Sequence, residues 1–380
     1  MSREWVVVGK GPSGLLSASL LLDAGYNVTV VSHGQGSFPL WSGTLDFYSV
    51  DHKLRPVTHP EDHRDVLSRY LSYDQWLSGW DTWRQILAGI GVETQVDVMA
   101  ANLLSPTATG VLYPRYVVPN WQYACRIPEP VTVVSWHGIA DLDLESWTAR
   151  YQLSSGLEAQ ARYRPAPGNW SPRWTALHWA GFFDTEVGMD WLMHDLEQAL
   201  VGTDAQNPLL LPQVIGIRHT EQLLNRLSLA LGRKVKEIPL VAPALGGIRI
   251  QERWQKFLVR QGVRLLTGEA IRISNDGVWL TDGRVLAGRT VLATGGVLGG
   301  GLRVNWDHTV TNTATGETIL WSGDPEDLPL LSIARDSSNY DVVGRSSGRW
   351  NGDLHGGAGQ VLGSVLKWWH SVQQEVSLAK

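Results

Sequence analysis

The chain has 380 residues, 43% of them apolar and 18% charged, which is enough for a large core and excludes a disordered composition. A net charge of −5 gives no electrostatic reason to bind nucleic acid. Cys125 is the single cysteine, so this chain alone cannot hold a disulfide framework, a four-cysteine zinc site or an iron–sulfur cluster.

The apolar run Trp5–Val8 leads straight into Gly9-Lys-Gly-Pro-Ser-Gly, followed by the apolar stretch Leu15–Ala24 and a second run, Asn27–Val31. Strand, glycine turn, helix and strand in that order predict a dinucleotide or flavin phosphate site. Gly9 permits the bend, Gly11 lets backbone N–H groups approach a pyrophosphate, and Gly14 lets the helix pack on the strand. Pro12 and Ser13 open the helix, whose positive end would face the phosphate. No Gly-x-Ser-x-Gly elbow surrounds Ser13, which is read as a capping or phosphate-facing hydroxyl and not a nucleophile. The strand begins too early to leave room for a secretory leader, and no apolar run reaches the roughly 18 residues of a bilayer span. The expectation is a cytoplasmic protein with no transmembrane segment of its own, attached to the inner face of the membrane at most peripherally.

Further along, Arg64–Gly89 shows helical spacing in Val66, Leu67, Tyr70, Leu71, Trp83, Ile86 and Leu87. Residues Ala101–Pro119 turn extended, punctuated by Pro106, Pro114 and Pro119. Residues 131–242, with helices at Asp190–Leu200 and Glu221–Leu231, are read as an inserted α+β cap or substrate domain. Residues 1–130 and 243–380 would then form one discontinuous flavin-binding domain of α/β class, a Rossmann-like parallel sheet with helices and a small β-meander. Its second half opens with an amphipathic helix, Arg249–Gln261, and a strand, Val263–Leu266. The pair Asp282-Gly283 then signals a two-residue hairpin. Next, Thr290-Val-Leu-Ala-Thr-Gly-Gly is a buried strand ending in a small-residue turn, and Gly356-Gly-Ala-Gly opens a last helix.

These sections, with Trp41-Ser-Gly-Thr-Leu-Asp, Thr109-Gly-Val-Leu-Tyr-Pro, Gly138-Ile-Ala-Asp-Leu, Leu245-Gly-Gly-Ile-Arg and Val343-Gly-Arg-Ser-Ser-Gly, cover nearly the whole chain. In that order they resemble the B subunit of anaerobic glycerol-3-phosphate dehydrogenase, a flavoprotein of the two-dinucleotide-domain, fumarate-reductase-like class. The resemblance implies a flavin-bearing subunit that passes electrons from glycerol 3-phosphate towards quinone through an iron–sulfur, membrane-anchoring partner. It implies a cofactor held by Gly9, Gly11, Pro12, Ser13 and Gly14, and by Ser32, His33 and Gly34 after the second strand. Ser42, Gly43 and Thr44, then Ala270, Ala293, Thr294 and Gly295, and finally Gly344, Arg345, Gly356, Gly357 and Ala358 complete the set. Where FAD-binding chains carry an acid for the adenosine ribose, this chain has Ser32. FAD held by Ser32 and backbone amides is one solution, and FMN, which has no adenosine, is the other.

Hydride transfer to flavin needs an oriented substrate and a base for the hydroxyl proton. His355, just before the last helix, is the best placed imidazole, its alternative being an ordinary hydrogen-bonded histidine. Arg115, Arg249 and Arg303 follow motif turns and are candidates for an anionic substrate group, or else ordinary ion pairs. Asp46 is read as a turn cap. No histidine pair shows metal-ligand spacing, so no catalytic metal is expected. Two competing functions remain: a stand-alone fumarate-reductase-like or ketosteroid-dehydrogenase-like flavoenzyme, and a non-catalytic or electron-relay docking subunit of a respiratory complex.

Overall fold

The computed structural model describes residues 3–51, 53–68, 71–97, 99, 101–274, 277–307, 309–321, 331–333, 340–344 and 358–378. A five-stranded, wholly parallel sheet carries the opening strand Glu4–Val8 at its centre. On one side lie Asn27–Ser32 and then Arg264–Thr267, and on the other Arg289–Leu292 and then Tyr340–Val342. Val7 stands between Val30 and Val291. The period of two sorts the side chains: Trp5 and Val7 point to the large core with Leu15 and Leu16, and Val6 and Val8 to a smaller one with Val278 and Leu280.

The first face is covered by the helix Pro12–Asp23 and by the terminal helix Ala358–Leu378. The terminal helix also crosses the helix Tyr73–Gly89 at small residues. A Cβ on Gly79 would stand 2.0 Å from Leu366 Cδ1, and one on Gly363 would stand 2.4 Å from the Trp76 ring. The second face is covered by the antiparallel strands Ala270–Ser274, Gly277–Leu280 and Val285–Leu286. Their turn contains the anticipated Asp282-Gly283, with Gly283 at φ +84. A further antiparallel meander runs through Leu302–Val304, Val310–Asn312, Thr318–Trp321 and Leu331–Ile333.

Residues 131–238 hold a second parallel sheet, in the order Val235–Ile238, Leu209–Pro212, Val131–Trp136, Ala159–Arg164. Helices Leu144–Ser155, Ala176–Phe183, Glu186–Ala199 and Thr220–Leu231 alternate with the strands. The α+β expectation for this segment is therefore corrected to α/β. Val131–Trp136 is buried along its whole length, as a central parallel strand covered on both faces must be. One continuous apolar core includes residues of both sheets, among them Val7, Val133 and Leu210.

Two boundaries differ from the sequence reading. The long helical stretch resolves into Arg64–Leu67 and Tyr73–Gly89, the latter begun by a capping box in which Ser72 Oγ accepts from the Gln75 N–H and the Ser72 N–H donates to Gln75 Oε1. The amphipathic helix starts at Leu245, not Arg249, because its first turn needs two glycines, as described below. Seven tryptophans, Trp80, Trp83, Trp121, Trp136, Trp147, Trp179 and Trp254, are wholly buried, which accounts for much of the indole content as core filling. Among the described residues no helix is long and apolar enough to cross a membrane.

Candidate functional site

All five strands of the first sheet end on the same edge, and the chain reverses its direction of winding between Glu4–Val8 and Arg289–Leu292. Doubly wound sheets take their ligands at this reversal, outside the carboxyl ends of the strands. The Gly9 N–H donates to Val31 O (2.8 Å) and the Ala293 N–H to Val8 O (2.8 Å), so both turns leave the sheet in fixed register.

The glycines of the opening turn separate into two kinds. Gly9 has φ +113, and a Cβ there would meet Ala293 O at 2.3 Å; a Cβ on Gly14 would meet Gly9 O at 1.9 Å. Both are glycine because the chain itself leaves no room. Gly11 differs: its φ of −72 and ψ of −179 suit any residue. Among the described residues, a Cβ there would find nothing nearer than Ser37 N at 3.9 Å and Ser37 Oγ at 4.0 Å. None of them demands glycine at this position. Gly11 is also the N-cap of the helix Pro12–Asp23, with Pro12 in its first turn and no acidic residue there, so the positive end of the helix has no carboxylate of its own first turn to offset it.

The neighbouring turns gather round this point. Gly36, at φ +68, lies so close that a Cβ would stand 2.8 Å from Gly11 Cα, and this contact brings Ser37 to the glycine turn. Ser37 was not anticipated, though the sequence Gly34-Gln-Gly-Ser before an apolar residue is an N-cap signal, here for Phe38–Leu40. Ser32 Oγ donates to Gly34 O (3.1 Å), and His33 and Gly34 are exposed. Gly344, at φ +76, lies against Ser13: a Cβ would be 2.3 Å from its Oγ, and the Gly344 N–H donates to Ser364 Oγ on the terminal helix. Beyond Ala293, the Thr294 hydroxyl is buried with no hydrogen-bond partner among the described residues, and Gly295 has φ +80. Ala270 begins the antiparallel sheet and packs on the smaller core. Ala358 is the first residue of the terminal helix, whereas Arg345, His355, Gly356 and Gly357 lie outside the described residues.

The Ser42–Asp46 segment follows Phe38–Leu40 in the chain. Ser42 Oγ and Thr44 Oγ1 are 2.9 Å apart, Gly43 has φ +94, and the Trp41 indole N–H donates to Thr44 O. At its end the buried carboxylate of Asp46 is paired with Arg115, whose guanidinium lies 4.4 Å over the Tyr113 ring and keeps about a fifth of its side chain exposed. Burial, reinforced by the Asp46 charge, pushes the Tyr113 phenol up, against the opposing pull of Arg115. Two residues singled out separately in the sequence thus meet here.

Arg249 is placed otherwise. It is fully buried and bonded to Glu237 through two contacts (2.5 and 3.0 Å), while Nε and an NH2 group donate to Gly216 O. Its guanidinium is committed to the chain, which replaces the expected anion-recognising role with a structural one. Burial pushes the Glu237 carboxyl up and the facing guanidinium pulls it back. Arg303 is exposed on the meander. Among the described residues no His, Cys, Asp and Glu side chains gather as a metal site requires.

The strand order and glycine turn define a doubly wound α/β protein of the Rossmann type. No family model matches the chain. Its sequence is 26% identical over 331 residues to the B subunit of the probable anaerobic glycerol-3-phosphate dehydrogenase of Halobacterium salinarum, covering 80% of this chain and 76% of that one. Over 361 residues it is 23% identical to the B subunit of the anaerobic glycerol-3-phosphate dehydrogenase of Yersinia enterocolitica, covering 88% and 81%. Solved structures with which it aligns include the L-proline dehydrogenase of P. horikoshii, at 13% identity and a TM-score of 0.29 over 77% of this chain and 53% of that one. Another is the 3-ketosteroid Δ1-dehydrogenase of Sterolibacterium denitrificans, at 14% and 0.29 over 78% and 48%. The chain spans about half the length of these two enzymes. Scores this low add nothing to the fold argument, which rests on the strand order. The sequence relatives are dehydrogenase subunits, and the chain is an oxidoreductase.

Proposed function

We propose that this chain is the flavin-bearing B-type subunit of an anaerobic glycerol-3-phosphate dehydrogenase. The observation that carries the flavin reading is Gly11, a glycine that no described residue requires, set at a helix N-terminus without a side-chain cap where the sheet reverses. A phosphate approaching the backbone supplies the missing reason for it. The cradle fits the group. The amides after Gly11, with Ser13 and Ser37, would hold the pyrophosphate, and Ser32, His33, Gly34 and Ala270 the adenosine side. Ser42, Gly43, Thr44, Ala293, Thr294 and Gly295 would line the ring, with Gly344, Arg345, Gly356, Gly357 and Ala358 closing the far end.

When bound, the flavin supplies the hydride acceptor. The chain's own part is to orient the substrate and take its hydroxyl proton. Arg115, about a fifth of its side chain exposed, would receive the phosphate of glycerol 3-phosphate or a similar anion, with Asp46 holding that guanidinium in place. His355 would accept the proton. The product would be dihydroxyacetone phosphate, and the electrons would leave through an iron–sulfur partner subunit towards quinone, with the complex lying peripherally on the inner face of the cell membrane. The complete dinucleotide-type sheet supports FAD; Ser32 in place of the ribose-binding acid is the observation that favours FMN. The same serine, its hydroxyl turned onto Gly34 O, also favours the second reading, a docking subunit without cofactor chemistry.

The test is a spectrum of the purified chain. Flavin bands near ~370 and ~450 nm, with mass spectrometry of the released chromophore, establish the cofactor and its identity. In Gly11→Val the bands should vanish while the thermal midpoint stays at that of the wild-type chain stripped of flavin. A colourless wild-type chain, or full flavin occupancy in the variant, overturns the proposal.

A further inference from the structure

The first turn of the helix Leu245–Arg260 joins residues 38–43 to the second sheet. On one side, a Cβ on Gly246 would stand 1.9 Å from Ser42 O, and one on Gly247 would stand 2.0 Å from Phe38 O. The Gly247 N–H donates to Trp41 O (2.9 Å), and the Ala244 N–H to Pro39 O (2.7 Å). Backbone therefore touches backbone along residues 38–43. On the other side, the Gly246 N–H donates to Gln213 Oε1 (3.1 Å), just past the third strand of the second sheet. One turn further along the helix, Arg249 reaches Glu237 in the last strand of that sheet, and Gly216 O. Gln213, Glu237 and Arg249 are all fully buried.

The chemistry of this cluster is more demanding than packing requires. Removing two charges from water costs several kcal/mol each, and apolar side chains of similar volume often hold a core at least as firmly. What the ion pair adds is direction. A guanidinium with both a carboxylate and a carbonyl to satisfy has few tolerated positions, and a shift of the helix start breaks several bonds together.

We propose that Arg249 and Glu237, with Gln213, are positioning residues that fix the segment 38–46 relative to the second sheet. The site's substrate-facing wall, from Ser42 to the Asp46–Arg115 pair, is then set by a joint with no part in contact with the ligand. This use of the joint rests on the reading of residues 32–46 as cofactor-facing.

The experiment is hydrogen exchange, resolved by peptide, on the full chain stripped of any cofactor. Arg249→Lys keeps the charge but cannot serve Glu237 and Gly216 O together. It should speed exchange across 38–46 by about tenfold or more and leave the strands 4–8 and 131–136 protected. Unchanged exchange, or an equal rise in every strand, overturns the proposal. If Arg249→Lys fails to fold, Gln213→Met decides, since it removes only the acceptor for the Gly246 N–H. An increase confined to 38–46 supports the joint, and no increase there overturns it. Flavin titration separates the two readings. A wild-type chain that binds no flavin while Arg249→Lys still loosens 38–46 keeps the joint and loses the cofactor assignment. Flavin binding in the wild type with unaltered exchange in the variant does the reverse.

Discussion

The two parallel sheets reverse their winding in the same way, yet their carboxyl edges are finished differently. At the first, a side chain imagined on Gly11 meets no atom of the described residues nearer than Ser37 N at 3.9 Å. At the second, one imagined on Gly138, in the turn that leaves Val131–Trp136, falls 2.4 Å from the Trp170 ring. The next loop of that edge, through Gly216, is bonded to Arg249. Topology alone marks both edges as places for a ligand. What separates them, among the described residues, is whether the chain has already filled the place with its own side chains.

Four substitutions test that contrast, ranked by expected loss of stability. Arg249→Met strands the Glu237 carboxylate and should cost about 3–5 kcal/mol, read from the denaturant midpoint. Gly14→Ala drives a methyl group into Gly9 O and should cost about 1–3 kcal/mol, with loss of cofactor as well. Gly138→Ala, at φ +103, must displace Trp170 and should cost about 1–2 kcal/mol with a change in tryptophan fluorescence, leaving cofactor binding unaltered. Gly11→Ala should move stability by no more than about 0.5 kcal/mol and still weaken the cofactor. A Gly11→Ala chain as unstable as Gly14→Ala would erase the distinction between the edges.

The first sheet was legible in the sequence because its signals are local. The turn Gly9–Gly14 lies between two apolar runs, Asp282-Gly283 between alternating ones, and Thr290–Gly296 ends a buried strand; none depends on a distant partner. The second sheet was misread as α+β because its strands Leu209–Pro212 and Val235–Ile238 are four residues long, and Ala159–Arg164, at the sheet edge, alternates like an antiparallel strand. Only pairing across the chain shows them to be parallel. Arg249 was misjudged for a related reason. Two glycines before an arginine can admit a ligand or a neighbouring backbone, and here the neighbour is Trp41–Ser42, some two hundred positions away. Ser37 was legible only as a cap, since its place beside Gly11 follows from the fold of residues 34–37.

The interleaving of the first sheet has a consequence for synthesis. Its central strand is made long before its neighbour at 289–292, the edge strand at 340–342 and the helix 358–378 that covers one face. The second sheet, contiguous in residues 131–238, has all its strands outside the tunnel while the first still lacks three of five. The nascent chain must therefore keep the valine-rich Glu4–Val8 and Asn27–Ser32 strands from wrong partners while more than two hundred further residues are made, and a pause before residue 340 leaves Arg289–Leu292 as the exposed edge of that sheet.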